Sequence, residues 1–564
     1  MPTKKLLRTT KDNLKEKTVL FVMWNCEYKE KYLYQNWYLP MKDVFKEVLL
    51  FDPKKRIIAH GPEKMKEELL DTVKKVRPDV ILLTVWGCGE FESLDLPEQL
   101  REVSKESKIV CVYADDDRDF EISSRYYAPL MDYNLVIQPD FTEKYIKEGN
   151  KAFTIYAVDA KVFTPPNLEK KYDVSFIGAP SPPRLKTMKF LIDNGVNLSL
   201  WGRGWLEHPE FQKVYRGEAD AEEFKKFISQ TKINIGFSKN KDGLPHYKAR
   251  VLEVGALGAF SLVDYFKGYT NFFIENKEIA MFKDDSDLLQ KIKYYLKNEK
   301  ERELVAKNAY KKIIAKLDMT QRVKEVFTEI FKDKNVSFPG FNTKDKKVYN
   351  FTKDEISQGI DSAKNKLKEY DYVTFEEENI IPHQYKKDIQ IYSLEKSGKE
   401  ISCCDYYIKS KTLGNILRFR VFHAFKNINR ETFNQLLNLN QLMVSKNYFL
   451  SNFDKINGVF EGEIIDFVDN KNTAFVDTPL LKIEKVNSTN LKGINSLGGK
   501  SLSRAFQLNF VLKLYSKMSK KKILADSYIY NLLIYSAFSR NISLLNYLFN
   551  SVFNKENWAK LKSL

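Results

Sequence analysis

The stretch Lys108-Ile-Val-Cys-Val-Tyr113-Ala-Asp-Asp-Asp117 joins a short apolar run to an acidic turn. An apolar run of this length, rich in β-branched residues and bounded by a turn, is typical of a buried strand. Similar runs occur at Thr18–Trp24, Val48–Phe51 and Asp79–Val85. Between them, Glu63–Val76 has its apolar residues at helical spacing. Strands that alternate with helices in this way predict a parallel sheet covered by helices.

A second alternating series begins after the pair Pro165-Pro166. Its predicted strands are Asp173–Ile177, Leu198–Trp201, Ile233–Phe237 and Ala259–Val263, and its predicted helices are Arg184–Asp193, Lys248–Leu257, Asp285–Asn298 and Glu301–Leu317. We therefore predict the α/β class, with two Rossmann-like domains over residues 1–162 and 163–333 that face a common cleft. Residues 334–350 are polar and contain a Pro-Gly turn, which predicts a linker. Residues 351–564 lack the alternation, and we expect a mixed or α-rich accessory domain there.

The composition of the 564 residues limits the classes of protein and of partner. Hydrophobic residues make up 43% of the chain, which excludes a mainly disordered protein. The net charge is +17, and residues 479–564 alone hold 14 basic and 3 acidic residues. A basic end predicts an acidic protein, an anionic glycan or a membrane surface as partner, with nucleic acid less favoured. Five cysteines without framework spacing, and no signal-like or long apolar run, predict a cytoplasmic protein, at most peripheral to the inner face of the membrane.

Glycines and cations in the second series predict a site for a nucleotide diphosphate. Gly178 follows a predicted strand, and Arg184 opens the next helix. Gly202 and Arg203 lie in a glycine-rich turn after the following strand. In parallel sheets, ligands bind at the carboxyl ends of the strands, with phosphates at helix N-termini. We therefore expect Gly178, Arg184, Gly202 and Arg203 to contact this nucleotide diphosphate.

Two further cations, Lys248 and Arg250, stand at the start of a predicted helix. Cations there need an anion nearby, and together they can neutralise a leaving diphosphate without a metal or another cofactor. A solvated helix start is the alternative. We expect Glu253, one turn further, to hold a ribose diol, and His246 and Tyr247 to lie beside the phosphate or the sugar.

The acidic turn Asp115-Asp116-Asp117 follows a strand end of the first series. Adjacent carboxylates raise one another's pKa, which suits a general base if the reaction inverts configuration. We predict Asp117 as the base, with Asp116 as the second choice. The alternative is that the turn only caps a helix.

An ordered series of motifs over residues 18–330 carries a resemblance to a known family. The motifs are Arg77-Pro-Asp79-Val, Tyr113-Ala-Asp-Asp-Asp117, Tyr156-Ala-Val-Asp159, Phe176-Ile-Gly-Ala179, Tyr215-Arg-Gly217, Lys248–Asp264 and Thr320-Gln-Arg322. The series resembles the CgeB-like (spore maturation protein) glycosyltransferases, which have the GT-B fold. The resemblance implies a metal-independent transfer of a sugar from a nucleotide diphosphate sugar to a hydroxyl acceptor on a protein or a glycan.

The resemblance also implies roles for single residues. Glu253 resembles the ribose-binding glutamate of the E-x7-E signature of related retaining enzymes. Arg184, Lys248 and Arg250 resemble the cations that bind phosphate in those enzymes. Pro245 stands where the earlier glutamate of that signature would fall, so the stereochemical outcome is open. Thr320–Phe331 resembles the terminal GT-B helix, which crosses back onto the first domain.

Part of residues 370–490 is faintly similar to GT-A, family-2-like glycosyltransferases. Glu376, Glu377 and Glu378 stand near the place of that family's Asp-x-Asp metal site, and no Asp-x-Asp occurs in the segment. We therefore predict a degenerate acceptor-binding or assembly module, with an unrelated α-rich domain as the alternative. Local patterns predict short strands at Tyr372–Phe375 and Gln390–Tyr392, and helices at Ser503–Ser516 and Ser527–Phe538.

Two other functions fit the same patterns. A nucleotide-sugar epimerase shares the two-domain cleft and needs no acceptor. A non-catalytic protein that binds nucleic acid or glycan would use the basic end, and binding to nucleic acid would depend steeply on salt.

Overall fold

The computed structural model describes residues 14–483 and 506–508, apart from positions 25, 28–31, 61, 85–93, 241–242, 334–338, 376–379, 411–413, 420–421, 423–424, 427–432, 435 and 456–467. The described residues form three sheets, which define a first, a second and a third unit in chain order. Among them, no helix is both long enough and apolar enough to span a bilayer.

The first unit is a six-stranded parallel sheet in the order β2-β1-β3-β4-β5-β6. Its strands are β1 Thr18–Val22, β2 Glu47–Phe51, β3 Val80–Thr84, β4 Lys108–Tyr113, β5 Tyr133–Val136 and β6 Ala152–Thr154. Its helices are α1 Leu39–Val44, α2 Pro53–His60, α3 Pro62–Val76, α4 Leu96–Val103, α5 Asp116–Asp119, α6 Arg125–Tyr127 and α7 Pro139–Lys147, with shorter turns at Leu14–Glu16, Tyr34–Tyr38, Phe120–Ser124 and Ala128–Leu130.

The central strand β4 shows why the sequence of this unit reads as continuous apolar runs. Ile109 and Cys111 point into the core on one face of the sheet, and Val110 and Val112 into the core on the other. Successive side chains of a strand alternate between faces, so a strand covered by helices on both sides needs apolar residues at every position.

The second unit is a five-stranded parallel sheet in the order β11-β10-β9-β7-β8. Its strands are β7 Tyr172–Ile177, β8 Leu198–Trp201, β9 Thr231–Gly236, β10 Ser261–Asp264 and β11 Ala280–Phe282. Its helices are α8 Pro182–Asp193, α9 Ala221–Ser229, α10 Ala249–Ala256, α11 Asp285–Lys297 and α12 Glu299–Lys316, with 3-10 turns at Trp205–Glu207, Pro209–Phe211 and Lys267–Asn271. The two parallel sheets confirm the predicted α/β class.

Helix α13, Met319–Lys332, follows the second unit in sequence and packs on the first. Val323 and Phe327 lie in the core cluster of the first sheet, and the ring of Phe327 meets that of Phe45 edge-on at 5.1 Å. The crossing-back predicted for Thr320–Phe331 is therefore confirmed.

The third unit is a mixed eight-stranded sheet in the order β12-β13-β17-β15-β16-β19, with β18 paired to β14 and β15. Its strands are β12 Val348–Phe351, β13 Tyr372–Phe375, β14 Ile380–Pro382, β15 Ile401–Ser410, β16 Gly414–Phe419, β17 Leu442–Ser445, β18 Thr473–Ile483 and β19 Phe506–Leu508. Its helices are α14 Lys353–Ser357, α15 Ile360–Lys366, α16 Lys386–Ser397 and α17 Lys446–Ser451, with a 3-10 turn at Leu439–Gln441. The sheet makes this unit mixed rather than α-rich.

Several local predictions for the C-terminal third are wrong. The predicted strand Gln390–Tyr392 lies inside α16, because a short buried apolar run has no period that separates strand from helix. Within the helix predicted at Ser503–Ser516, the described residues Phe506–Leu508 are the strand β19, paired with β16. Residues 348–350, assigned to the linker, begin β12. The predicted helix Ser527–Phe538 and the glutamates 376–378 lie outside the described residues.

The third unit shares one hydrophobic core with the first. Phe120 and Tyr127 of the first unit belong to the same buried cluster as Val476 and Leu480 of β18. A hydrogen bond from the backbone N–H of Gly340 to the carbonyl oxygen of Pro129 adds to this contact, at 2.8 Å. The third unit therefore covers the helical segment that follows the acidic turn.

Candidate functional site

A cavity of about 220 Å³ lies in the second unit at the carboxyl ends of β7 and β9. Gly178, Arg184, Lys248 and Arg250 line it, so the fold brings together four of the residues predicted from the sequence. We call this space the donor cavity. Its position follows from the parallel sheet, whose crossover connections all leave from the same edge.

Arg184 enters the donor cavity from the first turns of α8. Its Nη1 donates to the carbonyl oxygen of Ala179 at 2.9 Å, and its guanidinium lies over the rings of Phe176 and Phe237 at 5.3 and 5.6 Å. Burial lowers the pKa of Arg184, the charge of Asp264 opposes this shift, and the charge of Arg250 adds to it. No carboxylate of the described residues forms an ion pair with Arg184, so its charge is available to an anion.

Lys248 is the N-cap residue of α10. Its backbone is held on both sides, since its N–H donates to the hydroxyl of Tyr269 at 3.2 Å and its carbonyl accepts from the hydroxyl of Tyr156 at 3.0 Å. Its ammonium group makes no hydrogen bond or ion pair with the described residues, and burial lowers its pKa. Lys248 is therefore a second, partly desolvated cation that faces the donor cavity.

Arg250 differs from these two cations because it already has partners. Its Nη1 donates to the carbonyl oxygen of Ile177 at 2.6 Å, its Nε pairs with Glu253 at 3.1 Å, and its guanidinium lies 4.2 Å from the ring centre of Phe224. Glu253 is 8% exposed and is not part of the cavity wall. In this structure the carboxylate orients Arg250, and its contact with a ribose stays a prediction.

Gly202 and Arg203 lie outside the donor cavity. Gly202 has a φ of +122°, and a Cβ there would lie 2.6 Å from the carbonyl oxygen of Gly178. Glycine at this position thus lets the turn after β8 lie close to the turn after β7, which contributes Gly178 to the cavity wall. The Arg203 side chain is 86% exposed and pairs with Glu218 at 2.9 Å, so in this structure it is not one of the residues that line the cavity.

Tyr247 joins the two parallel units instead of facing a ligand. Its hydroxyl donates to Asp140 at 2.6 Å, and its backbone N–H donates to Oε1 of Gln138 at 2.8 Å. The ring is buried among Tyr156, Phe266 and other aromatic residues. The expected contact of Tyr247 with phosphate or sugar is therefore not what the structure shows.

His246 forms the second link between the units. Its Nδ1 lies 2.9 Å from Oδ1 of Asp117, and its Nε2 lies 3.2 Å from Nε2 of Gln138. The amide of Gln138 is oriented by its other bonds, because Oε1 accepts from Tyr247 while Nε2 donates to the carbonyl oxygen of Ala114 at 3.1 Å. With that amide as the donor, Nε2 of His246 accepts, and the Nδ1 proton is donated to Asp117.

Asp117 is a weaker base than the sequence predicts. Burial raises its pKa, but hydrogen bonds from His246 and from Asn240, the latter at 2.5 Å, and the charge of Lys248 together bring it below the usual value. A carboxylate held in this way binds protons poorly and is suited to orient the imidazole of His246.

Asp116 is buried in this structure, and its catalytic role stays a prediction. The residue is 1% exposed, and both of its carboxylate oxygens accept from the hydroxyl of Tyr145 at 3.0 Å. Burial raises the pKa of Asp116 to about 7. Helix α5 begins at Asp116, and this turns its side chain inward against α7.

Asp115 is the aspartate of this turn whose pKa is raised while its side chain stays accessible. Burial raises its pKa, the nearby Arg118 and His246 oppose this shift, and Asp119 and Asp117 add to it. Its side chain is 27% exposed and lies 3.5 Å from Arg118. Our sequence argument preferred its two neighbours, because nothing local shows which way each side chain of a turn points.

Asp115, Asp117 and His246 each place one ligand atom within 4.8 Å of the others. Two carboxylates and an imidazole are donors that several divalent cations accept. The hydrogen bond between His246 and Asp117 satisfies two of these donors in the present arrangement. Metal independence is therefore still a prediction.

Gln138 and Asn240 were missed from the sequence, although both contact the pair His246–Asp117. Gln138 follows the end of β5, at the same edge of the sheet as the acidic turn. A polar residue at a strand end was the available signal.

Comparison with known protein families gives one match, within the second unit and α13. A family model described as glycosyl transferase-like matches residues 184–328, a segment that includes Arg184, Lys248, Arg250 and Glu253. No curated protein sequence matches the chain.

Solved structures of low identity match about half of the chain. HepE from Anabaena, solved with UDP and glucose, is 9% identical and covers 56% of this chain and 100% of its own, with a TM-score of 0.42. Sucrose-phosphate synthase from Thermosynechococcus elongatus is 12% identical and covers 50% and 81%, with a TM-score of 0.37. A protein from Listeria monocytogenes, described as a UDP-N-acetylglucosamine 2-epimerase, is 10% identical. It covers 58% of this chain and 99% of its own, with a TM-score of 0.38.

Proposed function

We propose that this chain is a glycosyltransferase that moves a sugar from a nucleotide diphosphate sugar to a hydroxyl group of a protein or a glycan. The match of residues 184–328 to the glycosyl transferase-like family supports the transferase class. The observation that carries the proposal is a pair of cations, Arg184 and Lys248, that face one cavity and form no direct ion pair with a carboxylate of the described residues. Asp264 and Asp117 attract these charges only from a longer distance. The finer assignment to the CgeB-like enzymes belongs to the same proposal.

The donor diphosphate would lie between Arg184, Lys248 and Arg250. Burying a cation without a counter-ion costs free energy, and a diphosphate in the cavity offsets that cost. The three cations stabilise the negative charge that grows on the diphosphate as the bond to the sugar breaks, so no metal is needed for this step. The rigid fixing of Arg250 by Glu253 and Ile177 keeps its charge in place during the reaction.

The acceptor would approach from the side of the first unit, where the acidic turn ends β4. If the configuration inverts, Asp115 takes the proton of the acceptor hydroxyl while that oxygen attacks the anomeric carbon. Asp115 suits this role better than Asp117, because the pKa of Asp115 is raised and that of Asp117 is lowered. Asp117 and His246 would then orient the turn across the cleft.

In this proposal the third unit does not bind the nucleotide sugar. We assign it the binding of the acceptor or the assembly of the enzyme, as expected for a degenerate module. Contact of residues 479–564 with an acidic protein, an anionic glycan or a membrane surface is part of the same proposal, and most of that segment lies outside the described residues.

A thermal-shift panel of nucleotide diphosphate sugars tests the proposal. At a concentration of about 100 times Kd, a bound donor stabilises the folded protein by roughly 2.7 kcal/mol, which is a measurable rise in Tm. We expect one donor to raise the Tm of the wild type and Arg184→Ala to weaken its binding at least tenfold, because charge-assisted hydrogen bonds are lost.

Arg203→Ala is the matched control, since it removes an arginine of the same unit that is exposed outside the cavity. It should keep the wild-type shift. Lack of stabilisation by every donor would refute the transferase function, and equal loss in both variants would refute the cavity assignment. Products then separate the alternatives, since an epimerase converts the bound donor without any acceptor.

A further inference from the structure

We propose that a second cavity of the second unit binds a phosphorylated small molecule. This cavity, of about 360 Å³, lies at the amino ends of β7 and β9, on the opposite edge of the sheet from the donor cavity. We call it the basic cavity. Four cations line it, namely Lys170 in the connection before β7, Lys232 in β9, and Arg302 and Lys307 in α12.

The wall of the basic cavity carries an excess of positive charge. Its one carboxylate is that of Glu303, which lies 3.9 Å from the guanidinium of Arg302. Lys232 is paired with Asp173 at 2.7 Å. The ammonium group of Lys170 donates to the carbonyl oxygens of Ser229 and Thr231, at 2.9 and 3.1 Å, and forms no ion pair with a described carboxylate.

Lys307 likewise forms no ion pair with the residues that the structure describes. It is exposed at the mouth of the cavity, on the same face of α12 as Glu303 and Tyr310. Two of the four cations therefore form no ion pair with a described carboxylate, and they come from segments far apart in the chain. An excess of positive charge in one cavity attracts an anion.

Arg302 is the buried cation of this group. It is 2% exposed, its Nη1 donates to the carbonyl oxygen of Tyr295 at 2.9 Å, and its Nη2 pairs with the exposed Glu299 at 2.8 Å. It lies in the first turn of the 18-residue helix α12, where the helix dipole disfavours a positive charge. Burial lowers the pKa of Lys170, the charge of Arg302 lowers it further, and the charge of Glu303 opposes both. An anion in the basic cavity would relieve both costs.

The shape of the cavity indicates an organic ligand and not a bare ion. Its volume is in the range of small-molecule sites, and Pro165, Phe260 and Tyr310 give it apolar and aromatic walls. A phosphate group would meet the cations, and a sugar or nucleoside part would contact these walls. None of the lining residues belongs to the donor cavity, so this site is independent of the proposed function.

Titration calorimetry with inorganic phosphate, glucose 1-phosphate and AMP tests the proposal. The full chain with Arg184→Ala is used as the background, so that binding of these compounds in the donor cavity is weakened. We expect one of the two esters to bind at least tenfold more tightly than inorganic phosphate. Lys307→Glu should weaken that ester at least tenfold, since it reverses a charge that is not needed for any ion pair.

Lys293→Glu, a charge reversal at an exposed position of α11 outside the cavity, is the matched control and should leave the affinity unchanged. Lys170→Gln provides a second variant inside the cavity, with the same expected loss. Absence of binding by all three compounds would overturn the proposal. So would equal affinity for phosphate and both esters, or an equal effect of Lys293→Glu and Lys307→Glu.

Discussion

Three consecutive aspartates, Asp115, Asp116 and Asp117, have three different environments within one turn. Asp115 is accessible with a raised pKa, Asp116 is buried against Tyr145, and Asp117 is bound by His246 with a lowered pKa. The differences arise because α5 begins inside the run, and each residue of a helical turn points about 100° away from the previous one. At the scale of single residues, direction decides which carboxylate can act on a substrate.

Asp116→Asn tests the buried state of this carboxylate through the pH dependence of stability. The pKa of Asp116 is about 7 in the folded protein and 3.8 as its ordinary value, so the folded state holds the proton that the unfolded state releases above pH 4. Stability from this group is fully present below pH 4 and is lost as the pH rises towards 7. Between pH 5 and pH 8 the loss is on the order of 3 kcal/mol.

We therefore expect Asp116→Asn to be more stable relative to the wild type at pH 8 than at pH 5, measured by urea unfolding. Asp115→Asn, at the accessible neighbour, is the control and should show a smaller change. If the free energy of unfolding changes between pH 5 and pH 8 by the same amount in the wild type and in Asp116→Asn, the pKa of Asp116 is not raised by burial.

At the scale of elements, α13 decides how the two parallel sheets are held together. It leaves the second unit and packs its apolar face on the first, with Met319, Val323 and Phe327 in one buried cluster. The side chain of Arg322 adds a clamp, since its Nε and Nη2 donate to the carbonyl oxygen of Thr154 at 3.0 and 2.7 Å. Helix α13 thus connects the second unit to the first through contacts between residues distant in sequence.

Phe327→Ala should destabilise the first unit strongly. The ring is fully buried and meets Phe45, and truncation of a buried phenylalanine costs about 3–5 kcal/mol through lost burial and the cavity left behind. Thr328→Ala, at the half-buried next position, removes one methyl group and a hydroxyl bonded to its own helix and serves as the control. Similar Tm values for the two variants would mean that α13 does not pack as described.

At the scale of the whole molecule, the third unit is part of the core of the first. The hydroxyl of Tyr392 in α16 donates to Glu148 at 2.9 Å, and the same carboxylate is paired with the buried Arg125. Arg125 is also paired with Glu121, close to the acidic turn. The contact between the first and third units therefore rests on a buried charged network as well as on apolar packing.

Tyr392→Phe should cost about 1–3 kcal/mol of stability, because it leaves a nearly buried carboxylate without one hydrogen bond. Tyr294→Phe removes a hydroxyl bonded to Glu301 at 2.5 Å, but that pair is exposed, so we expect a change of less than about 0.5 kcal/mol. Equal losses of Tm in the two variants would contradict a buried contact between the units.

The sequence by itself determined the α/β class and the positions of Gly178, Arg184, Lys248 and Arg250 along one sheet edge. These features are local, since the spacing of apolar residues shows the strands, and the residues after each strand lie at the carboxyl edge. The crossing of Thr320–Phe331 was also predicted, from an ordered series of motifs.

Only the tertiary structure decided which of these side chains face a ligand. Tyr247 turned to Gln138, which is 109 residues away in sequence, and Asp116 turned to Tyr145, 29 residues away. Gln390 became helical inside a buried layer, and the basic cavity joined Lys170 to Lys307. Such outcomes depend on partners brought from distant segments, and the free energy of burial is settled by that packing and not by local spacing.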